Sequence, residues 1–188
     1  MPVVSITLLP GYSPQARERL VERTARSVRS VIAASNAGTT VFVNEAATYQ
    51  RDGKRFTVGG AELPDASALV RQFLERMQVR DLEAAKGMLA AGFEMTFPGA
   101  APMREFSQLL DWAKTRYSKI GKQYERFDEC WGEDHTVVYC SGTLEGIWLD
   151  GSPFSGIRFI DRFEVAQGLI QRQDVWNDLA EVKAMAKG

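Results

Sequence analysis

Apolar and polar positions alternate from the start of the chain. Val3-Val4-Ser5-Ile6-Thr7-Leu8-Leu9 reads as a strand with Val4, Ile6 and Leu8 on one face, and Pro10-Gly11 ends it. Ser13-Pro14 reads as a helix start, with Ser13 as the N-cap and Pro14 in the first turn. Leu20, Thr24, Val28 and Val31/Ile32 then recur at helical spacing until Asn36–Gly38. Thr40–Glu45 is a second strand, and a strand–helix–strand unit of this length favours parallel pairing with a right-handed crossover. Arg51-Asp52-Gly53-Lys54 is a hairpin turn, and Gly59-Gly60 with Pro64 marks a boundary.

Beyond Asp65 the periodicity changes. Ala68-Leu69, Phe73 and Met77, then Ala84-Ala85 and Met88-Leu89, give two amphipathic helices broken near Asp81. Phe93–Phe97 is a short strand ended by Pro98-Gly99, and Phe106, Leu109-Leu110, Ala113 and Tyr117 give a third helix. Four strand segments follow: Gln123–Trp131, Thr136–Trp148, Phe154–Val165 and Leu169–Trp176. The expected fold is α+β in two domains. Residues 1–62 form a β-α-β module, and residues 63–188 form three helices packed on a curved antiparallel sheet.

Composition narrows the function classes. The chain has 188 residues, 45% of them hydrophobic and 25% charged, with a formal net charge of −1. That balance lacks the basic footprint of a nucleic-acid binder, and no apolar run reaches membrane-spanning length. The first residues lack the pattern of a secretory signal, so a cytoplasmic protein is expected. A single histidine, His135, sits in a turn, and two cysteines are present. A protein-built zinc or iron site therefore has too few ligands, and no metal or other cofactor is called for. A hairpin turning at Gly132–His135 sets Cys130 opposite Val137 and Cys140 opposite Phe127, which disfavours a disulfide.

Candidate chemistry begins at Pro2. Once an initiator methionine is removed, proline presents a secondary amine, which is a usable base when burial lowers its pKa. Pro2 opening an apolar strand, Gly11-x-Ser13 leading into a long helix, a second strand ending near Glu45 and Phe56-Thr57-Val58-Gly59-Gly60 together resemble the 4-oxalocrotonate tautomerase family over residues 2 to about 60. The resemblance implies that Pro2 shuttles a proton on a small keto or enol acid, with Phe56 lowering the amine's pKa. Two arginines bind carboxylates in better-known members, and Tyr12 and Thr40 stand in their places here.

Residues 65 to about 183 resemble the nuclear transport factor 2-like fold and, within it, the SnoaL-like group. The features are Arg80-Asp81-Leu82-Glu83, the Phe93–Pro98 strand and the closing Phe163-Glu164-Val165, Gly168-Leu169-Ile170 and Asp174-Val175-Trp176-Asn177-Asp178. Such a domain implies an apolar pocket and, in some members, isomerase or cyclase activity. Strand parity puts Asp161 on one face with Ile157, Phe159 and Phe163, and Asp174 on one face with Ile170, Arg172 and Trp176. A carboxylate among aromatic side chains has the raised pKa that acid–base work needs, and an Asp–Arg structural pair is the alternative. Trp112, Tyr139, Trp148 and Trp176 are candidates to line a cavity for a small-molecule substrate or ligand.

Three functions stay open on the sequence. The first is a tautomerase using Pro2, with Tyr12, Thr40 and Phe56 in its site. The second is a cone-domain isomerase or cyclase using Asp174 or Asp161. The third is a non-catalytic ligand binder. The uncovered face of the leading two-stranded sheet implies a homo-oligomer, and a hexamer joins the three-fold and two-fold contacts that the two resemblances imply.

Overall fold

A computed structural model describes residues 1–185. The chain divides into two compact units, Met1–Glu62 and Leu63–Gly188. No described helix is long and apolar enough to cross a membrane.

In the first unit, β1 (Val3–Leu8) pairs in parallel with β2 (Thr40–Glu45), from Val3 opposite Thr40 to Leu8 opposite Glu45. The intervening helix α1 (Pro14–Val31) starts where the sequence says it should. The Ser13 hydroxyl accepts from the Ala16 amide at 3.1 Å, leaving one fewer unpaired donor in the first turn. Val4, Ile6 and Leu8 are the half-buried positions of β1, as alternation requires. A short hairpin of β3 (Tyr49–Arg51) and β4 (Lys54–Phe56) follows, turning at Asp52 and Gly53, both at positive φ. None of residues 1–62 is fully buried. On the other face of the sheet Val3 is 61% and Phe42 54% exposed, so this unit has no closed core of its own.

The second unit opens with α2 (Ala66–Gln78), capped by Asp65, and α3 (Leu82–Lys86), capped by Asp81. Next come β5 (Leu89–Thr96), α4 (Phe106–Lys114), β6 (Tyr117–Trp131), β7 (Thr136–Trp148), β8 (Pro153–Ala166), β9 (Leu169–Asn177) and α5 (Leu179–Met185). One five-stranded sheet has the order β5-β9-β8-β7-β6, antiparallel except where β5 runs parallel to β9. Register shifts interrupt the β6–β7, β7–β8 and β8–β9 ladders, and such bulges bend long strands. Val70, Phe73 and Leu74 of α2 join a core with Val138, Cys140, Leu144, Ile157, Phe159 and Phe163 of the sheet. Phe73 meets Phe163 edge to face, with ring centres 5.9 Å apart.

Several expectations need correction. The second helix stops at Lys86, so Met88 and Leu89 lead into β5 instead. The third helix stops at Lys114, and Tyr117 starts a 15-residue strand that was expected to begin only at Gln123. α5 has no counterpart in the sequence reading. The cysteine register is as expected: Cys130 lies opposite Val137, Cys140 lies opposite Phe127, and both thiols are free.

Candidate active site

Alternation along β8 turns Ile157, Phe159, Asp161 and Phe163 to the covered face of the sheet, all between 0% and 3% exposed. Asp161 is thus a carboxylate inside an apolar core, and it takes its counter-charge from the other edge of the sheet. Lys122 of β6 ion-pairs with Asp161 Oδ2. Gln173 of β9 donates to the same oxygen from 3.5 Å. Asp161 Oδ1 is buried with no hydrogen-bond partner in the described structure.

The reach of Lys122 depends on a missing side chain. Lys122 lies opposite Leu144 on β7, and Asp161 lies opposite Cys140 on the same strand. The intervening covered position on β7 is Gly142. A Cβ at this position would stand 1.9 Å from the Gln123 carbonyl oxygen, so only glycine permits β6 to approach so closely. Across that gap the Lys122 ammonium passes 4.5 Å from the centre of the Phe159 ring and arrives at Asp161.

A cavity of about 170 Å³ opens above this pair. Helices α2 and α4 supply Phe73, Met77 and Leu109, while β6 and β9 supply Tyr117, Lys122, Tyr124 and Gln173. Lys122 and Arg80 are therefore the charged groups that line the cavity, with Asp161 fully buried behind Lys122. Burial raises the Asp161 carboxyl pKa against the opposing pull of Lys122 and Gln173. Burial also pushes the Tyr124 phenol well above its ordinary value, with Asp161 and Cys140 adding to the rise. The Tyr117 phenol goes up to about 12 for the same first reason, opposed by Arg116 and Arg80. The Cys140 thiol also reaches about 12, through burial and then Asp161, which makes it inert rather than nucleophilic. The arrangement offers a lysine able to exchange a proton with a buried carboxyl, two phenols that stay protonated as donors, and an apolar enclosure.

The other candidate residues fall elsewhere. Asp174 does not share a face with Ile170 as parity on an unbroken strand predicts. A register shift near Gln171 brings Gln173 and Val175 to the covered side, and Asp174 turns to Arg172 at 2.9 Å and Arg162 at 3.3 Å. That is the Asp–Arg pair raised as the alternative. Trp148 is in the core, its ring centre 4.4 Å from that of Phe154. Trp176 is 54% exposed beside Ile160, and Tyr139 is half-buried on β7 opposite Arg162. Trp112 packs between Phe97 and Tyr117, and its indole N–H is buried without an acceptor.

In the first unit Thr40 donates its amide to the Pro2 carbonyl at 3.1 Å, so those two candidates are neighbours. Tyr12 and Phe56 lie with Leu8, Tyr49 and Val58 around an open groove at the far end of β1. At about 3.3 Å per residue, six residues of strand put that groove about 20 Å from Pro2 within one chain. The Tyr12 hydroxyl accepts from the Gly60 amide at 2.8 Å, and the Phe56 ring stacks on Tyr49 at 5.3 Å. Among the described residues no three His, Cys, Asp or Glu side chains cluster as metal ligands would.

Lys122, Tyr124 and Tyr117 were missed by the sequence reading. Their signal was present: Ile120-x-Lys122-x-Tyr124 alternates like a strand, with a lysine at an inward position.

No family model matches the chain, and no curated protein does. Solved structures do resemble it. An NTF2-like protein of unknown function from Burkholderia pseudomallei gives a TM-score of 0.52 at 17% identity, over 65% of this chain and 97% of its own. TerC, co-crystallized with polyporic acid, gives 0.52 at 14% identity over 65% and 98%. A protein named as a candidate polyketide cyclase, from Xanthomonas campestris pv. campestris, gives 0.51 at 16% identity over 63% and 94%. Each is matched nearly end to end by about the share of this chain that the second unit occupies. At these identities the shared property is the fold, and this chain carries an NTF2-like cone.

Proposed function

We propose that the protein is an isomerase or cyclase that moves a proton on a small, largely apolar carbonyl compound held in the cone cavity. The observation that carries this reading is a fully buried carboxyl, with one oxygen lacking a partner, that meets the cavity through Lys122 and Gln173. In the reaction, the Lys122 ammonium passes a proton to the Asp161 carboxylate it is paired with, which leaves Lys122 to face the substrate as an amine. Lys122 takes a proton from the carbon beside the carbonyl, the C–H electron pair moves onto the oxygen, and Tyr124 donates a hydrogen bond to it. The ammonium then returns the proton to another carbon of the enol system, so the net change is an isomerisation with no co-reactant. Asp161 is the positioning residue that holds the lysine's proton behind Lys122 while Lys122 acts on the substrate. The TerC structure with polyporic acid and the polyketide-cyclase name of another neighbour favour a small-molecule ligand in such a cone.

The test is deuterium exchange. Enolisable one-ring ketones in heavy water should lose their α-protons in the presence of the protein, followed by NMR. Lys122→Met should slow the exchange by a factor of roughly 10² or more, while Asp174→Asn should leave it unchanged. Exchange by Lys122→Met at the wild-type rate refutes the mechanism. Saturable binding without exchange favours the non-catalytic ligand binder.

A second reading places a tautomerase at Pro2 in the first unit. What favours it is the parallel β-α-β arrangement with Pro2 leading β1 beside Thr40. Because Tyr12 and Phe56 lie at the other end of the strand, that site requires these side chains from another copy. Pro2→Ala should then lower ketonisation of phenylenolpyruvate by orders of magnitude, and unchanged turnover removes the proline mechanism.

A further inference from the structure

Helix α2 ends in an unusual way. The Asp81 amide donates to the Arg76 carbonyl at 2.9 Å and the Arg80 amide to the Met77 carbonyl at 3.3 Å, which is the paired hydrogen-bond pattern of a Schellman cap. The residue such a cap holds in the left-handed region is normally glycine. Here it is Arg80, at φ 63°. A side chain in that conformation crowds its own backbone, so the chain keeps an arginine where glycine would be more stable.

The position gives the reason. Arg80 stands on the rim of the cone cavity, near Tyr117, whose phenol its charge affects. The other arginines near this end of the domain are engaged. Arg76 pairs with Asp81 at 3.3 Å, Arg71 lies 3.6 Å over the Phe127 ring, and Arg116 donates to the Pro98 carbonyl at 2.8 Å. Arg80 has no carboxylate partner among the described residues. A free guanidinium at the mouth of an apolar cavity is a receptor for an anion, and its planar fork suits a carboxylate. The size of the occupant follows from the volume. About 170 Å³ is close to the roughly 150 Å³ of an apolar cavity that takes one benzene ring.

We propose that the cavity takes a keto acid of about one ring, its carboxylate held by Arg80 at the rim and its carbonyl directed to Lys122. The inference rests on reading the cavity as a carbonyl-handling site and adds the charge and size of what enters it. An exposed Gln78 beside Arg80 supplies a further donor at the same rim. The cation deeper in the cavity, Lys122, is already paired with Asp161, so charge also sets the direction of entry.

Two probes of nearly equal shape test this on the full chain: 4-acetylbenzoate and its neutral counterpart 4-acetylbenzamide. Titration calorimetry should show the acid binding about tenfold more tightly than the amide, in keeping with a charge-assisted pair. The preference should shrink as salt is raised, because the rim is exposed. Arg80→Gly should abolish the preference and raise the ligand-free Tm by about 2 °C, since glycine relieves the backbone. Equal affinities in the unsubstituted protein overturn the proposal. So do a preference that survives Arg80→Gly, a fall in Tm on that substitution, and failure of both probes to bind. Lys122→Met separates the two claims. If it weakens both probes alike while the acid's advantage persists, Lys122 and Arg80 each hold as assigned. If the acid and amide bind equally but both still need Lys122, the carbonyl site stands and the carboxylate dock falls.

Discussion

Replacing Lys122 by methionine keeps the length and apolar stem of the side chain and removes the cation that faces Asp161. The carboxyl is 0% exposed, and among the described residues it would keep only Gln173 at 3.5 Å. It cannot remain ionised there, because an isolated charge in the core costs more than taking up a proton. Burial already raises its pKa in the unsubstituted protein, and removing Lys122 takes away the largest opposing influence. The sign then follows. A carboxyl whose folded pKa lies above its unfolded value binds protons more tightly when folded. Its favourable contribution is full below the ordinary value of 3.8 and is lost as pH climbs through the raised one. One such group changes stability by about 1.4 kcal/mol per pH unit in that window. As pH rises above the ordinary value of 3.8, the Lys122→Met protein should therefore lose unfolding free energy along that slope until the raised value is passed. Urea denaturation at a series of pH values measures it, with Lys122→Met/Asp161→Asn as the reference. The double variant should be nearly flat over the same range. If the two variants run parallel within about 0.5 kcal/mol, Asp161 is not the buried carboxyl that Lys122 neutralises.

Two further expectations concern the scaffold. Gly142→Ala sets a Cβ 1.9 Å from the Gln123 carbonyl oxygen and 3.0 Å from its carbon, so β6 must move away from β7. A loss of about 3 kcal/mol in denaturant titration and weaker binding in the cavity are expected, and a substitution that unfolds like the parent refutes the close approach. The first unit, with no fully buried residue and with Val3 and Phe42 on an open sheet face, is expected to assemble. Light scattering should report a mass near that of a hexamer, and a stable monomer at micromolar concentration would refute assembly.

Much of the fold was legible in the sequence because it is written locally. Ser13-Pro14 starts a helix, Asp52-Gly53 turns a hairpin, and alternation over Ile157–Phe163 assigns a buried face, each within a few residues. Asp161 was found this way, as a charge at an apolar position. Alternation holds only while a strand is unbroken, and this is why Asp174 was misplaced. The register shift near Gln171 reverses the faces of β9, and it depends on pairing with β8 rather than on any local signal. The partner of Asp161 was equally beyond local reach. Lys122 and Asp161 are 39 residues apart and sit on strands that do not pair, with β7 between them. Which cation crosses to which carboxyl was decided by the closeness of β6 to β7, and that closeness by the absence of a side chain at Gly142. The sequence by itself determined the elements and the residue types that could do chemistry, since both follow from short-range sterics and periodicity. The cavity, the raised pKa of Asp161 and the free Arg80 at the rim exist only once distant strands and helices exclude water together, so the tertiary structure alone decided them.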